Sequence, residues 1–429
     1  MKWEKLVWIA ASTVGAWPTA GRGQSRQFKY EGLKFGSDGR FLITVFEDFH
    51  LGESPDEHGH ALDDKTISVM EKILVAEPAD LVVLNGDLVN CDSYPADPNS
   101  LIDRIITPLI NREIPFAATF GNHDNDRACD TRAISQHMWD KAHSLSKKKL
   151  AFTTSSVPGE LSKIGTSNYF IPVYAHGSDN LEMILWFFDS RGGRSHDTGQ
   201  DEGNFVDEEV VKWYIDTRDR INKEHNRNIP SLIFVHIPVH AALAFQDQRN
   251  MKAAPGINAE KIFFESMNSD HQWLKADIPL MNAMASDKGL IATFSGHLHG
   301  IDWCANWAKL KGNEPGPGNG NGIKICFGRR TGYTGYGAHM RGARRIVVEQ
   351  TRLAKHELET WIRLEDGSVS GQVTLNSTFG SDLYPEVSRK YSKLEDDFGW
   401  NPTPAGRPAG PVSVMSLKKH MPPSSTFVP

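Results

Sequence analysis

Runs of four to six mostly apolar residues recur along the chain, each stopped by a glycine or by a polar residue able to bind a cation. Phe41–Phe46 stops at Glu47-Asp48-Phe49-His50, and Leu81–Leu84 at Asn85-Gly86-Asp87. Phe116–Thr119 delivers Gly121-Asn122-His123-Asp124, and Met183–Phe188 ends at Asp189. Leu232–Val235 ends at His236, and Leu290–Phe294 at Ser295-Gly296-His297-Leu298-His299. Short continuous runs of this kind predict strands buried on both faces. Between them the apolar spacing becomes helical. Thr66–Glu77 carries Ile67, Met70, Ile73 and Leu74 and is closed by Pro78; Leu101–Asn111 and Asp207–Ile221 repeat the pattern. Strand–helix–strand order makes the first strands parallel neighbours in an α/β fold.

Other stretches fall between these elements. Ser144–Ser167 is rich in Ser, Thr and Lys and predicts a surface insertion; Arg191–Phe205, rich in Gly, Arg and Asp, predicts a mobile loop. His58-Gly59-His60 reads as part of a solvated polar loop. Ile323–Phe327 and Arg345–Val348 read as strands, and Leu358–Leu364 with Ser368–Leu375 as a hairpin about Asp366-Gly367.

Composition changes this picture mainly at the ends. The 429 residues are 39% hydrophobic and 23% charged, ordinary for a folded protein. A formal net charge of -6 argues against a general nucleic-acid binder. No apolar run approaches the ~20 residues of a membrane span. Two lysines before the apolar Leu6–Trp17, then small residues to Gly21, predict a secretory signal peptide over residues 1–24. The expected main domain is 25–378, followed by a polar, Pro/Gly/Ser-rich tail over 379–429. Asn376-Ser377-Thr378 is an acceptable glycosylation sequon, and four cysteines suit an oxidising compartment.

The strand ends carry the candidate chemistry. Asp48 and His50 are two apart, as are His297 and His299, so in extended backbone each pair shares a face and can chelate one cation. Asp87, at the end of its strand, can bridge two cations through its two oxygens. Asn122 offers an amide oxygen, and His123 should point elsewhere, toward whatever the metals hold.

In order, Asp48-Phe49-His50, Gly86-Asp87, Gly121-Asn122-His123-Asp124, His236 and Gly296-His297-Leu298-His299 resemble the five-block signature of calcineurin-like metallophosphoesterases, over roughly residues 40–350. CFGRRTGYTGYG and ARRIVV within Ile323–Val348, with Cys304 and Cys326, are similar to the purple-acid-phosphatase-like branch of fungi and plants. The resemblance implies an α/β fold built as a four-layer α/β/β/α sandwich. It also implies two divalent or mixed-valence transition metal ions, Fe, Mn or Zn. Asp48, His50 and His299 would hold the first, Asn122, His236 and His297 the second, and Asp87 would bridge. A hydroxide between the metals would attack a small phosphate ester. His123 would act as general acid, with Asp124 orienting its ring. The implied activity is phosphomonoester hydrolysis. A phosphodiesterase on nucleotides or lipid head groups is the alternative, and a non-catalytic binding protein the third reading. Arg329 and Arg330 are candidates to bind a terminal phosphate, beside Asn122 and His123. Two positions depart from purple acid phosphatases: Asn90 stands where they carry a metal-binding Tyr, and His50 where they carry Gly, so no charge-transfer colour is expected.

Four cysteines allow three pairings. Cys91 and Cys129 each follow a ligand block by a few residues on the same rim; Cys304 follows His299 closely and Cys326 ends the next apolar strand. These placements predict Cys91–Cys129 and Cys304–Cys326.

Overall fold

Continuous apolar runs such as Leu81–Asn85, Phe116–Thr119 and Ser231–Val235 become strands buried along their whole length, with a packed layer on both faces. The computed structural model describes residues 32–392, except 94, 96, 249, 263–274 and 308–315; the expected leader and the tail beyond 392 lie outside the described residues. Among the described residues, one sheet orders seven strands as β1 (Leu33–Lys34), β5 (Tyr169–Tyr174), β6 (Leu181–Phe188), β7 (Ser231–Val235), β8 (Leu290–Ser295), β10 (Lys324–Phe327) and β9 (Cys304–Asn306). The other orders six as β13 (Val369–Leu375), β12 (Leu358–Leu364), β11 (Gly342–Glu349), β2 (Arg40–Phe46), β3 (Leu81–Asn85) and β4 (Phe116–Thr119). β2, β3 and β4 run parallel, as do β6, β7, β8 and β10. Parallel strands bring their C-terminal ends to one rim, the usual place for a ligand in such sheets.

Side-chain alternation separates the layers. Phe41, Ile43, Val45, Leu81 and Val83 face Met183, Leu185, Phe187, Leu232 and Phe234 between the sheets. Tyr169, Phe187, Phe234 and Phe294 stack there across β5 to β8, with centroids 4.6, 5.2 and 5.5 Å apart. Each such pair adds ~0.5–1.5 kcal/mol beyond area burial. Val82 and Leu84 turn outward to α1 (Glu57–Ala76), α2 (Pro98–Asn111) and α3 (Thr131–Leu145) through Met70, Ile73, Ile102, Ile105 and Met138. Ile184, Trp186, Phe188, Ile233 and Val235 face the opposite way, onto Ile164 of α4 (Leu161–Ile164), Val210 and Tyr214 of α5 (Glu208–Glu224), Ala242 of α6 (Ala241–Gln248) and Met281 of α7 (Ile278–Ser286). The result is a four-layer α/β/β/α sandwich, as the resemblance implies. Both expected disulfides are present, and Cys304 and Cys326 sit directly opposite one another on β9 and β10.

Four expectations need correction. His58-Gly59-His60 lies in the first turn of α1, because Asp56 caps that turn by accepting from Gly59 N at 2.8 Å. Ser144–Ser167 is not a surface insertion: Leu150, Ala151 and Phe152 are buried, Ala151 bridges to Phe116 of β4, and Ser167 Oγ accepts from Phe120 N. Arg191–Phe205 is pinned by bridges Arg191–Asn204 and Arg194–Asp201 rather than running free. The packed body also extends past 378: Phe379 is buried, and Met340 N donates to the Lys390 carbonyl at 2.9 Å.

Candidate metal centre

The strand ends pass into tight turns that hold four candidate ligands in left-handed backbone. Asp48, His50, Asp87 and His297 have φ of 54°, 50°, 51° and 72°. Non-glycine residues rarely adopt this region, and such strain costs of order ~1–3 kcal/mol per residue. The turns brace one another: Asp48 N donates to Gly86 O at 3.1 Å and His50 N to Asp87 O at 3.0 Å. Two glycines let the rims of the sheets approach. A Cβ on Gly86 would fall 2.4 Å from His236 Nδ1, and one on Gly121 2.2 Å from Asp87 Oδ1.

Asp87 stands at the middle of the cluster. Its Oδ2 is 3.1 Å from His236 Nε2 and 3.5 Å from His50 Nε2. His50 Nε2 lies 3.1 Å from His299 Nε2, and Asp48 Oδ1 is 3.8 Å from His299 Nε2 and 3.9 Å from His236 Nε2. Among the described residues, three triads of donor atoms gather here: Asp48, His50 and His299; Asp87, His236 and His297; and His50, Asp87 and His123 between them. The rings are oriented from behind. His236 Nδ1 meets the Asn85 carbonyl at 2.8 Å and His299 Nδ1 the Tyr336 carbonyl at 3.1 Å, which aims each Nε2 inward.

The electrostatics fit a cation site. Burial holds His50 and His299 well below the usual imidazole range and His297 down at about 3, leaving neutral rings with free lone pairs. For His236 burial acts downward too, but the charges of Asp87 and Asp48 outweigh it and hold it at about 10. Burial would lift Asp87, yet His236, His123 and His50 keep it well below the carboxylate range, while burial lifts Asp48 to about 7. The cluster thus attracts positive charge. Asn122 Oδ1 and Asp48 Oδ2 are buried acceptors with no hydrogen-bond partner, where buried polar atoms ordinarily have one. Nitrogen and oxygen donors of this kind suit Mn, Zn or Fe. His and Asp groups here fit metal binding, with Asp48, His50, Asp87, His236, His297 and His299 brought together.

The His123 ring lies beside His50, centroids 4.8 Å apart, and within reach of Asp87, while its backbone N donates to Asp87 Oδ1 at 2.9 Å. Asp124 does not orient its ring. The Asp124 carboxylate accepts from Leu88, Val89 and Gly121 backbone N–H groups, locking the turn beneath Asp87. The partner of His123 is Asp92, whose Oδ2 is 2.8 Å from Nδ1. Burial would lower His123, but Asp87 and Asp92 raise it to about 9. Sequence reading missed Asp92 because nothing in its spacing links it to His123.

The two arginines differ. Both are 2% exposed, so neither belongs to a solvent-facing turn. Arg329 Nη2 forms a buried ion pair with Asp302 at 2.8 Å, while its Nε and Nη1 have no hydrogen-bond partner. Arg330 donates through Nη1 to the Gly337 carbonyl, while its Nε and Nη2 have no partner and its charge acts on Asp48 and His299. Thr334, also unmarked in the sequence, steadies the first turn by donating to the His50 carbonyl at 2.6 Å.

The model of the calcineurin-like phosphoesterase family matches residues 42–300. The probable inactive purple acid phosphatase 14 of Arabidopsis thaliana is 25% identical, over 86% of this chain and 89% of its own length. The probable inactive purple acid phosphatase 29 of the same plant is 26% identical, over 79% and 86%. Among solved structures, a dimetal phosphatase from Danio rerio matches 78% of this chain and 98% of its own with a TM-score of 0.45 and 10% identity.

Proposed function

Because the chain belongs to the calcineurin-like phosphoesterase family, we propose that it hydrolyses phosphate monoesters at a dinuclear metal centre. The observation that carries this reading is Asp87 Oδ2, set 3.5 Å from His50 Nε2 and 3.1 Å from His236 Nε2, between two sets of inward-facing donors. Asp48, His50 and His299 would hold one Fe, Mn or Zn ion and Asn122, His236 and His297 the other, with Asp87 as the carboxylate serving both. The pair supplies Lewis acidity toward the phosphoryl oxygens and a water acidified to serve as nucleophile. The chain's own residues do the rest. Arg330 offers its unpartnered N–H groups to a terminal phosphate, whose extra charge a diester lacks. His123, kept protonated by Asp87 and Asp92, gives its proton to the departing alkoxide. Both plant relatives bear "inactive" in their names; the clustering of Asp48, His50, Asp87, His123, His236, His297 and His299 in this chain supports an active reading. The two disulfides support an oxidising compartment, and with the leader over 1–24 they support secretion, with a glycan on Asn376.

Elemental analysis of the purified protein, paired with rates on a monoester and a diester, tests the reading. About two transition ions per chain and a monoester preference that chelation abolishes are expected. A metal-free protein inert to both esters would leave a binding protein. A faster diester would make it a phosphodiesterase.

A further inference from the structure

Four rings form a row across the centre. His123 and His50 have centroids 4.8 Å apart, His50 and His299 5.0 Å, and His299 and Tyr336 4.1 Å. The inner two are buried, but the ends are open: the His123 side chain is 32% exposed and Tyr336 53%. His123 has a chemical task at its end of the row. Tyr336 has none, and yet it is fixed in place. It lies nearly flat on His299, with 16° between the planes. Its hydroxyl donates to Glu260 Oε1 at 2.5 Å, and Glu260 Oε2 in turn accepts from Gly300 N at 2.8 Å. Its carbonyl accepts from His299 Nδ1. Gly335 and Gly337, at φ 78° and 91°, bend the loop back so that the ring returns over the histidine. A large aromatic ring left half in water is not explained by burial. Held at both ends with one face covered by a metal-centre residue, it presents the other face ready-made.

We propose that the outer face of Tyr336 is a stacking platform for a planar ring of the substrate, and that this ring is joined to the phosphate through a spacer, as the base is in a nucleoside monophosphate. The inference rests on the phosphatase reading and names the substrate class of that same site. Spacing sets the class. A ring stacked on Tyr336 lies ~4.5–7 Å from its centroid, on the side away from His299, and so a further ring layer from the metals. An aryl ring bonded directly to the phosphoryl oxygen cannot reach that layer while its phosphate stays on the metals. A base carried on a pentose can. Stacking tolerates any base, since each offers a π face.

The test compares kcat/KM for adenosine 5′-monophosphate, ribose 5-phosphate and phenyl phosphate in wild type, Tyr336→Ala and Tyr336→Phe, with metal content measured for each. Wild type should favour the nucleotide over ribose phosphate ~10-fold, the scale of one base–aromatic stack. Tyr336→Ala should lose that preference with both metals retained, and Tyr336→Phe should keep most of it. Equal rates on nucleotide and ribose phosphate in wild type would overturn the platform while leaving the phosphatase standing. So would an unchanged ratio in Tyr336→Ala, or metal loss in that variant, which would make the ring a prop for His299. A phenyl phosphate preference that falls in Tyr336→Ala would overturn the spacer. Wild type inert to all three would remove the phosphatase reading and the platform with it.

Discussion

Asp87 is the residue on which the proposed centre closes, its Oδ2 lying 3.5 Å from His50 Nε2 and 3.1 Å from His236 Nε2. Asp87→Ala should release both metals and leave histidines facing one another without a counter-charge; elemental analysis should find well under one ion per chain. Retention of two ions would refute the bridging role. Asp92 works on the proton instead. It raises His123, so Asp92→Asn should lower that pKa. A general acid acts only while protonated, so the fall of activity with rising pH should move to lower pH. Rates on an alkyl phosphate should drop ~10-fold or more, with little change for a nitrophenolate that leaves unaided. The metal donors were legible because each stands at a strand end, with paired spacing in Asp48/His50 and His297/His299. The support around them was not. Asp92 meets His123 across two loops, Arg329 and Arg330 differ only in what packs on them, and Asp124 gives its oxygens to backbone N–H groups that no residue spacing announces.

Elements show the same division. β2, β3, β6, β7 and β8 read correctly because a strand covered on both faces has no polar positions to blur it. β5 was overlooked: Pro172 falls in its middle, though there it pairs with Ile184 on β6 near the sheet edge. α3 was overlooked because Ile134, Met138 and Ala142 are its few buried residues and the rest is polar. The loop after β6 has a clearer role than its composition implied. Gly192 and Gly193, at φ 92° and 66°, press against Asn122, and a Cβ on Gly193 would fall 2.1 Å from the Asn122 carbonyl oxygen. Gly193→Ala should therefore push Asn122 out of line. Metal titration should show the second ion bound ~10-fold or more weakly while the first is little changed, and thermal melting a loss of ~1–3 kcal/mol. Equal weakening of both ions would mean the loop supports the whole rim rather than Asn122.

Across the whole molecule, stability should carry a pH signature from a carboxylate buried in α1. Asp63, buried in α1 with Arg104 beside it and Gly52 N donating to it, is raised by burial to about 6 from a usual 3.8. An acid raised on folding binds its proton more tightly in the native state. Its contribution is therefore fully present below pH ~4 and lost as pH rises toward ~6. Asp63→Asn has no such loss. Measured by denaturant midpoints, the variant should gain on wild type between pH 4 and 6, by ~1–3 kcal/mol, and hold that gain at pH 7. A constant difference from pH 4 to 7 would show that Asp63 keeps its ordinary pKa.

The six-stranded sheet also sets an order in time. β11 lies between β2 and β12, so β2, which leads into Asp48 and His50, stays unpaired along one edge until a strand beginning at Gly342 emerges. At ~5–20 residues per second the ribosome needs roughly 15–60 s to make the roughly 300 residues between them. For that interval the nascent chain exposes the apolar edge Phe41–Phe46, a template for pairing with any other strand. A ribosome stalled before Gly342 thus holds a chain that can neither finish its sheet nor stay apart from its neighbours.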